Sequence, residues 1–324
     1  TIAPDPRDPD LFYAGATNTL DRFDRRTLQA RDVQPNPYLV MGEAAEVMPE
    51  RWNWVSPLVF SPVEPDALYA GSQHLWRTRD QGRSWEKISP DLTRAEPGTL
   101  GETGGPIILD QDGPEVYGTL YTIAPSRHDA PTIWTGSDDG LVHLTRDGGA
   151  TWQDVTPSDM PAHTRLGLID ASPHVPGGAY VAGRRYEMDD REPYVWKTRD
   201  YGATWTKIVQ GLPAGAFVHA VREDPIRQGL LYAGTEHGVY VSFDDGAGWE
   251  PLSLNLPDVA VTALVVTARD VVIATHGRSF YVLDDVTPLR QWPGADDEAA
   301  TRLATPVDAV RRVYPAHVDF QLSS

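Results

Sequence analysis

Apolar and polar residues alternate along this chain in short bursts such as Val239-Tyr240-Val241-Ser242-Phe243, and no window carries a long apolar stripe at helical spacing. The bursts repeat. An apolar-aromatic-small-glycine step recurs as Phe12-Tyr13-Ala14-Gly15, Leu68-Tyr69-Ala70-Gly71, Ile133-Trp134-Thr135-Gly136, Tyr180-Val181-Ala182-Gly183 and Leu231-Tyr232-Ala233-Gly234, with a weaker copy at Ile273–Gly277. A proline-marked turn precedes each of the first five, at Pro4, Pro62, Pro125, Pro173 and Pro225. Self-similarity at a period of roughly 40–60 residues, built from strand-length segments, predicts an all-β repeat protein.

A second motif is sharper. The pattern Ser/Thr-x-Asp-x-Gly-x-Ser/Thr-Trp occurs with Asp80, Gly82 and Trp85, with Asp147, Gly149 and Trp152, and with Asp200, Gly202 and Trp205. A near-match holds Asp244, Gly246 and Trp249, with Gly248 in place of the second hydroxyl residue. The chemistry is that of a tight hairpin. The carboxylate accepts N–H bonds within the turn, the glycine supplies the positive φ that closes it, and the indole buries a large face against the next unit.

These hairpins resemble the Asp-boxes of the bacterial neuraminidase-repeat and sortilin-like β-propellers, over roughly residues 1–287. The resemblance implies a six- or seven-bladed propeller with about six recognisable four-stranded blades, near 1–45, 50–93, 115–158, 164–212, 216–256 and 260–287. In that family the box lies at the rim, between the third and outermost strands, so the four aspartates are expected to be structural. Large bacterial proteins of this type resemble sortilin and the two-propeller xyloglucan hydrolases. Thr1-Ile2-Ala3-Pro4 matches Thr122-Ile123-Ala124-Pro125, so the chain is expected to open partway through an inner strand, as a processed or excised sequence does. Residues 288–324 read as a linker or wrapping arm able to clasp a neighbouring subunit, with Val307–Tyr314 as a candidate closing strand.

Charge narrows the partners. With 46 acidic against 28 basic residues the net charge is −18, which excludes a sequence-independent nucleic-acid binder and argues against an anionic membrane surface. The absence of cysteine removes disulfides, thiolate metal sites and a cysteine nucleophile. No apolar run is long enough for direct membrane insertion. Neither a phosphate loop, a dinucleotide fingerprint nor ligand-spaced histidines occur, so no cofactor or metal is expected.

Chemistry is expected on the face built by the loops after each repeated glycine. Those loops hold His74, Asp138-Asp139, the longer Arg184–Arg191 insertion, Glu236-His237, and His276 with Arg278; Trp54 approaches from the same face. Each has an ordinary alternative. Asp138-Asp139 reads as a carboxylate pair or as an Asx turn before Gly140. Glu236-His237 reads as an acid and its partner or as a backbone-bonded loop. The insertion, with Arg184, Arg185, Tyr186 and Glu187, reads as a partner loop or a solvated one. Arg278 reads as a carboxylate clamp or an inter-blade bridge, and Trp54 as a sugar platform or packing.

Two functions follow. The favoured one is a non-catalytic, exported (periplasmic or extracellular) propeller that binds a protein or glycan at its central face, as a subunit of a larger assembly. The alternative is a sialidase-like or xyloglucanase-like glycoside hydrolase, for which Asp138 or Asp139 against Glu236 is the pair to test at the spacing of about 5–9.5 Å such enzymes use.

Overall fold

A computed structural model describes residues 1–16, 19–36, 43–102, 116–293, 302–305 and 320–321. The strand-like bursts form six antiparallel sheets in chain order, each a meander, and Arg302–Leu303 pairs with Phe320–Gln321 as a separate two-stranded ladder. The first contains β1 (Ile2–Pro4), β2 (Leu11–Ala16), β3 (Thr19–Asp24) and β4 (Gln29–Asp32). The second contains β5 (Leu58–Phe60), β6 (Leu68–Gly71), β7 (Leu75–Thr78) and β8 (Glu86–Lys87). The third holds β9 (Leu120–Pro125), β10 (Ile133–Ser137), β11 (Val142–Thr145) and β12 (Gln153–Asp154). The fourth holds β13 (Arg165–Ala171), β14 (Ala179–Arg185), β15 (Asp190–Thr198) and β16 (Thr206–Lys207). The fifth holds β17 (Val218–Glu223), β18 (Leu231–Thr235), β19 (Gly238–Ser242) and β20 (Glu250–Pro251). The sixth has three strands among the described residues, β21 (Val261–Val266), β22 (Val271–Thr275) and β23 (Phe280–Leu283).

This is a β-propeller. Residues from the inner strands of the second to sixth blades, together with Thr1 ahead of β1, line one axial channel. Five hydrophobic clusters fill the five spaces between successive blades. The aromatic of the repeated step is the anchor: Tyr13, Tyr69, Trp134 and Tyr232 on β2, β6, β10 and β18, and Tyr180 at the matching point of β14, are fully buried. The short helix α1 (Thr287–Gln291) seals the sixth blade, with Val286 and Leu289 in the apolar cluster and both carboxylate oxygens of buried Asp224 3.0 Å from Arg290 Nε. The candidate closing strand Val307–Tyr314 lies outside the described residues.

The Asp/Gly/Trp hairpins link third to fourth strands and staple each blade to the one before it. Asp200 shows the chemistry: its carboxylate accepts bonds from the Thr204 N–H (2.9 Å), Thr204 Oγ1 (2.6 Å) and Thr198 Oγ1 (2.8 Å). Trp205 then donates its indole N–H to the Val155 carbonyl of the preceding blade at 2.7 Å. Trp85, Trp152 and Trp249 do the same to Val33, Ile88 and Ile208. The glycine is required twice over at Gly149, where φ is +102° and an added Cβ would lie 2.4 Å from the Ile88 carbonyl oxygen.

The hub is shaped by a second repeated device. In blades three to six the inner strand carries one residue more than its partner, a β-bulge, at Tyr121, Gly167, His219 and Thr262. A bulge re-aims the chain, and all four extra residues line the axial channel.

Candidate functional site

Two cavities open where the sequence predicts chemistry, and the Arg184–Arg191 insertion borders both. Its middle is not a strand: Tyr186–Met188 form one 3-10 turn, ended by Asp189 in the left-handed region at φ +57°. The turn sends Tyr186 toward the channel and Glu187 and Met188 toward a side cavity beneath blades three and four.

The side cavity, about 260 Å³, is lined by Tyr117, Asp138, His163, Arg165 and Glu187 among others. Asp138 lies in the tight turn between β10 and β11 that closes at Gly140, φ +89°. Its side chain is buried, with Oδ1 accepting the Thr119 N–H and Oδ2 the Thr119 hydroxyl, both at 2.8 Å. Burial disfavours the charged carboxylate more than these bonds favour it, so its pKa is pushed up to about 7. Opposite in character is Glu187, whose carboxylate meets the Arg165 guanidinium at 2.6 Å. Tyr117 and His163 join through a 2.9 Å hydroxyl–Nδ1 bond on the same wall.

Asp139 does not share this cavity. It accepts bonds from the Ser137 hydroxyl (2.6 Å) and the Arg94 N–H (2.8 Å), tying the loop around Arg94 to the blade. Burial raises its pKa as well.

The axial channel, about 880 Å³, gathers Arg184, Glu236, His237 and His276 from the predicted set. The guanidinium of Arg184 donates to the Tyr121 hydroxyl at 3.1 Å and lies 3.5 Å from His219 Nδ1, while His219 Nε2 is 3.2 Å from Glu236. Those neighbours fix the tautomer, with Nδ1 accepting from the arginine and Nε2–H donating to the glutamate. Burial first, and the arginine's charge second, lower the His219 pKa and keep the ring neutral. Gly167 makes this packing possible, since a Cβ there would lie 2.3 Å from the His219 carbonyl oxygen.

The other predicted residues go elsewhere. His74 Nδ1 lies 2.9 Å from buried Glu50, which also meets Lys87 at 2.6 Å and the Ser72 hydroxyl at 2.7 Å. Burial opposes the charge of Glu50, but these three partners hold its pKa at about 2. Arg185 pairs with Asp190 at 2.9 Å and bonds the Ala162 carbonyl. Trp54 and Arg278 are exposed and line neither cavity. Asp138 and Glu236, the pair singled out from sequence, belong to different cavities, because one loop caps blade three while the other borders the axis in blade five.

Sequence reasoning did not reach Tyr121, His219, Tyr117 or His163. The signal for His219 was a lone polar residue in the apolar run Phe217–Val221, but its direction depends on the bulge.

No protein-family model matches the chain. It is 27% identical to a xyloglucanase of Paenibacillus sp over 228 residues, which are 64% of this chain and 21% of that protein. It is 24% identical to an oligoxyloglucan-reducing end-specific xyloglucanase of Emericella nidulans over 252 residues, 73% of this chain and 27% of that protein. The chain thus spans only about a fifth to a quarter of the length of these curated relatives. Among solved structures, the GH74 xyloglucanase from Xanthomonas campestris superposes with a TM-score of 0.60 at 20% identity, covering 99% of this chain and 50% of that one. An ancestral GH74 enzyme superposes with a TM-score of 0.55 at 14% identity, covering 88% of this chain and 38% of that one. The structures share the propeller fold.

These relatives overturn the favoured expectation of a non-catalytic subunit. Both curated proteins are named as enzymes, and the glycoside hydrolase alternative fits them. The reason for the misreading is physical: the motif that dominates the sequence is a rim scaffold, and scaffolds are silent about the chemistry they carry.

Proposed function

We propose that this propeller is part of an exported glycoside hydrolase acting on a β-linked glucan of the xyloglucan kind, with the side cavity as its acid–base centre. One observation carries the reading: a single cavity holds two carboxyl groups in opposite surroundings, Asp138 buried and pushed up to about 7, Glu187 beside a guanidinium. Glycoside hydrolysis needs that division of labour. Asp138, whose proton burial retains up to about pH 7, donates it to the leaving glycosidic oxygen. Glu187 serves as the second carboxylate, acting on water or on the anomeric carbon from the other side. Arg165 orients Glu187, and Thr119 fixes Asp138.

The test is release of reducing ends from soluble xyloglucan by the whole protein. Asp138→Asn and Glu187→Gln are expected to lower kcat by about 10²-fold or more, while the rim variant Asp200→Asn keeps the wild-type rate. Absence of hydrolysis, or full activity in Asp138→Asn, contradicts the reading. Asparagine can keep both Thr119 bonds, so a loss there reports on the proton and not on folding.

A further inference from the structure

The axial channel has features that the hydrolytic reading does not use. In a chain of net charge −18, its lining holds Arg184, Arg191 and Arg222 against one carboxylate, Glu236. Arg222 is neutralised by buried Asp170 at 2.6 Å. Arg191 is exposed and has no ion-pair partner among the described residues. The Nε–H of Arg184 is buried without a hydrogen-bond acceptor, so the protein leaves this guanidinium incompletely satisfied. His219 is held neutral by burial and by the charge of Arg184, so it adds no anion-repelling or anion-attracting charge of its own. Beside these groups, Tyr186 presents a part-exposed ring stacked on Phe217, with centroids 5.0 Å apart and planes 26° apart.

We infer that the axial channel is a binding site for an acidic sugar, in which Arg184 and Arg191 take a uronic-acid carboxylate and the Tyr186–Phe217 stack carries the sugar ring. The planar guanidinium matches a carboxylate. The apolar face of a pyranose suits an aromatic surface, and Glu236 accepts from ring hydroxyls. Each part of the ligand therefore has a counterpart: charge to the arginines, ring face to Tyr186, hydroxyls to Glu236. The site is separate from Asp138 and stands or falls independently of hydrolysis.

Calorimetric titration of the whole protein with trigalacturonic acid and, in parallel, with neutral cellotriose tests it. The expected result is at least 10-fold tighter binding of the acidic trisaccharide, weakening with added salt. Arg191→Gln, an exposed and structurally lenient change, is expected to lower that affinity by about 10-fold, and Tyr186→Ala by a similar factor, while Asp138→Asn leaves it unchanged. Equal affinity for the two sugars, affinity unmoved by Arg191→Gln and Tyr186→Ala, or binding of neither sugar at millimolar concentration overturns the inference.

Discussion

Asp200 and Asp138 occupy tight turns in neighbouring blades, and both accept an N–H and a hydroxyl from one threonine, yet their carboxyl groups are driven in opposite directions. At the rim the turn is open to water, and bonds from Thr204, with Thr198 in support, lower the pKa of Asp200. In the side cavity the same kind of bonding is outweighed by burial, and Asp138 is pushed up to about 7. Solvation, not the hydrogen-bond pattern, separates a structural carboxylate from one able to hold a proton at neutral pH. The rim carboxylate and the buried carboxyl are one residue type, and only their surroundings tell the two apart.

Activity separates the two carboxyl groups most visibly. Asp138→Asn is expected to cost about 10²–10⁴ in kcat on xyloglucan with little loss of stability, whereas Asp200→Asn is expected to cost about 1–2 kcal/mol of stability with kcat unchanged; paired rate and urea-unfolding measurements read both. Next in size is a contrast between two adjacent glycines of positive φ. A Cβ on Gly149 strikes the Ile88 carbonyl, but one on Gly148 meets nothing within 4 Å. Gly149→Ala should therefore lose about 3 kcal/mol or more and Gly148→Ala about 1 kcal/mol, measured by the same unfolding curves.

Smaller still, Trp205→Phe keeps most of the apolar face but orphans the Val155 carbonyl that its indole N–H meets at 2.7 Å. A loss of about 1–2 kcal/mol is expected, with KM for glucan unchanged. The smallest effect is the acid limb of stability. The carboxyls of Asp80 and Asp147 are held down to about 2, chiefly by the hydroxyls of Ser84 and Thr151. A folded-state pKa below the unfolded one means the stabilisation is complete above about pH 4 and disappears as pH falls through about 2. The melting temperature should drop over that interval, and less so in a variant carrying Asp80→Asn and Asp147→Asn.

The rim was legible because its chemistry is local. A serine or threonine, an aspartate, a glycine and a tryptophan within eight residues specify the turn, and four copies in register give the blade repeat away. The apolar-aromatic-small-glycine step of Leu231–Gly234 and its counterparts likewise marked the buried second strands. The hub was not legible in the same manner. Whether Tyr121, His219 and Thr262 face the channel is decided by a bulge, which exists only in the pairing of two strands and shifts facing by one residue. The insertion was recognised as unusual, but its 3-10 turn divides Tyr186 from Glu187 between two cavities, which no strand alternation describes. Asp138 was picked out from sequence, yet the carboxylate that lines the same cavity is Glu187 and not Glu236, because loops from different blades meet by three-dimensional placement and not by position in the repeat.

The most direct test is a carboxyl NMR titration of the folded protein, assigned by comparison with Asp138→Asn and Asp200→Asn. The account predicts one aspartate titrating near pH 7, absent from the Asp138→Asn spectrum, while the Asp200 signal titrates below the ordinary aspartate range. An Asp138 carboxyl that loses its proton at or below pH 4 would contradict the proposal, since Asp138 could then not serve as the acid at neutral pH.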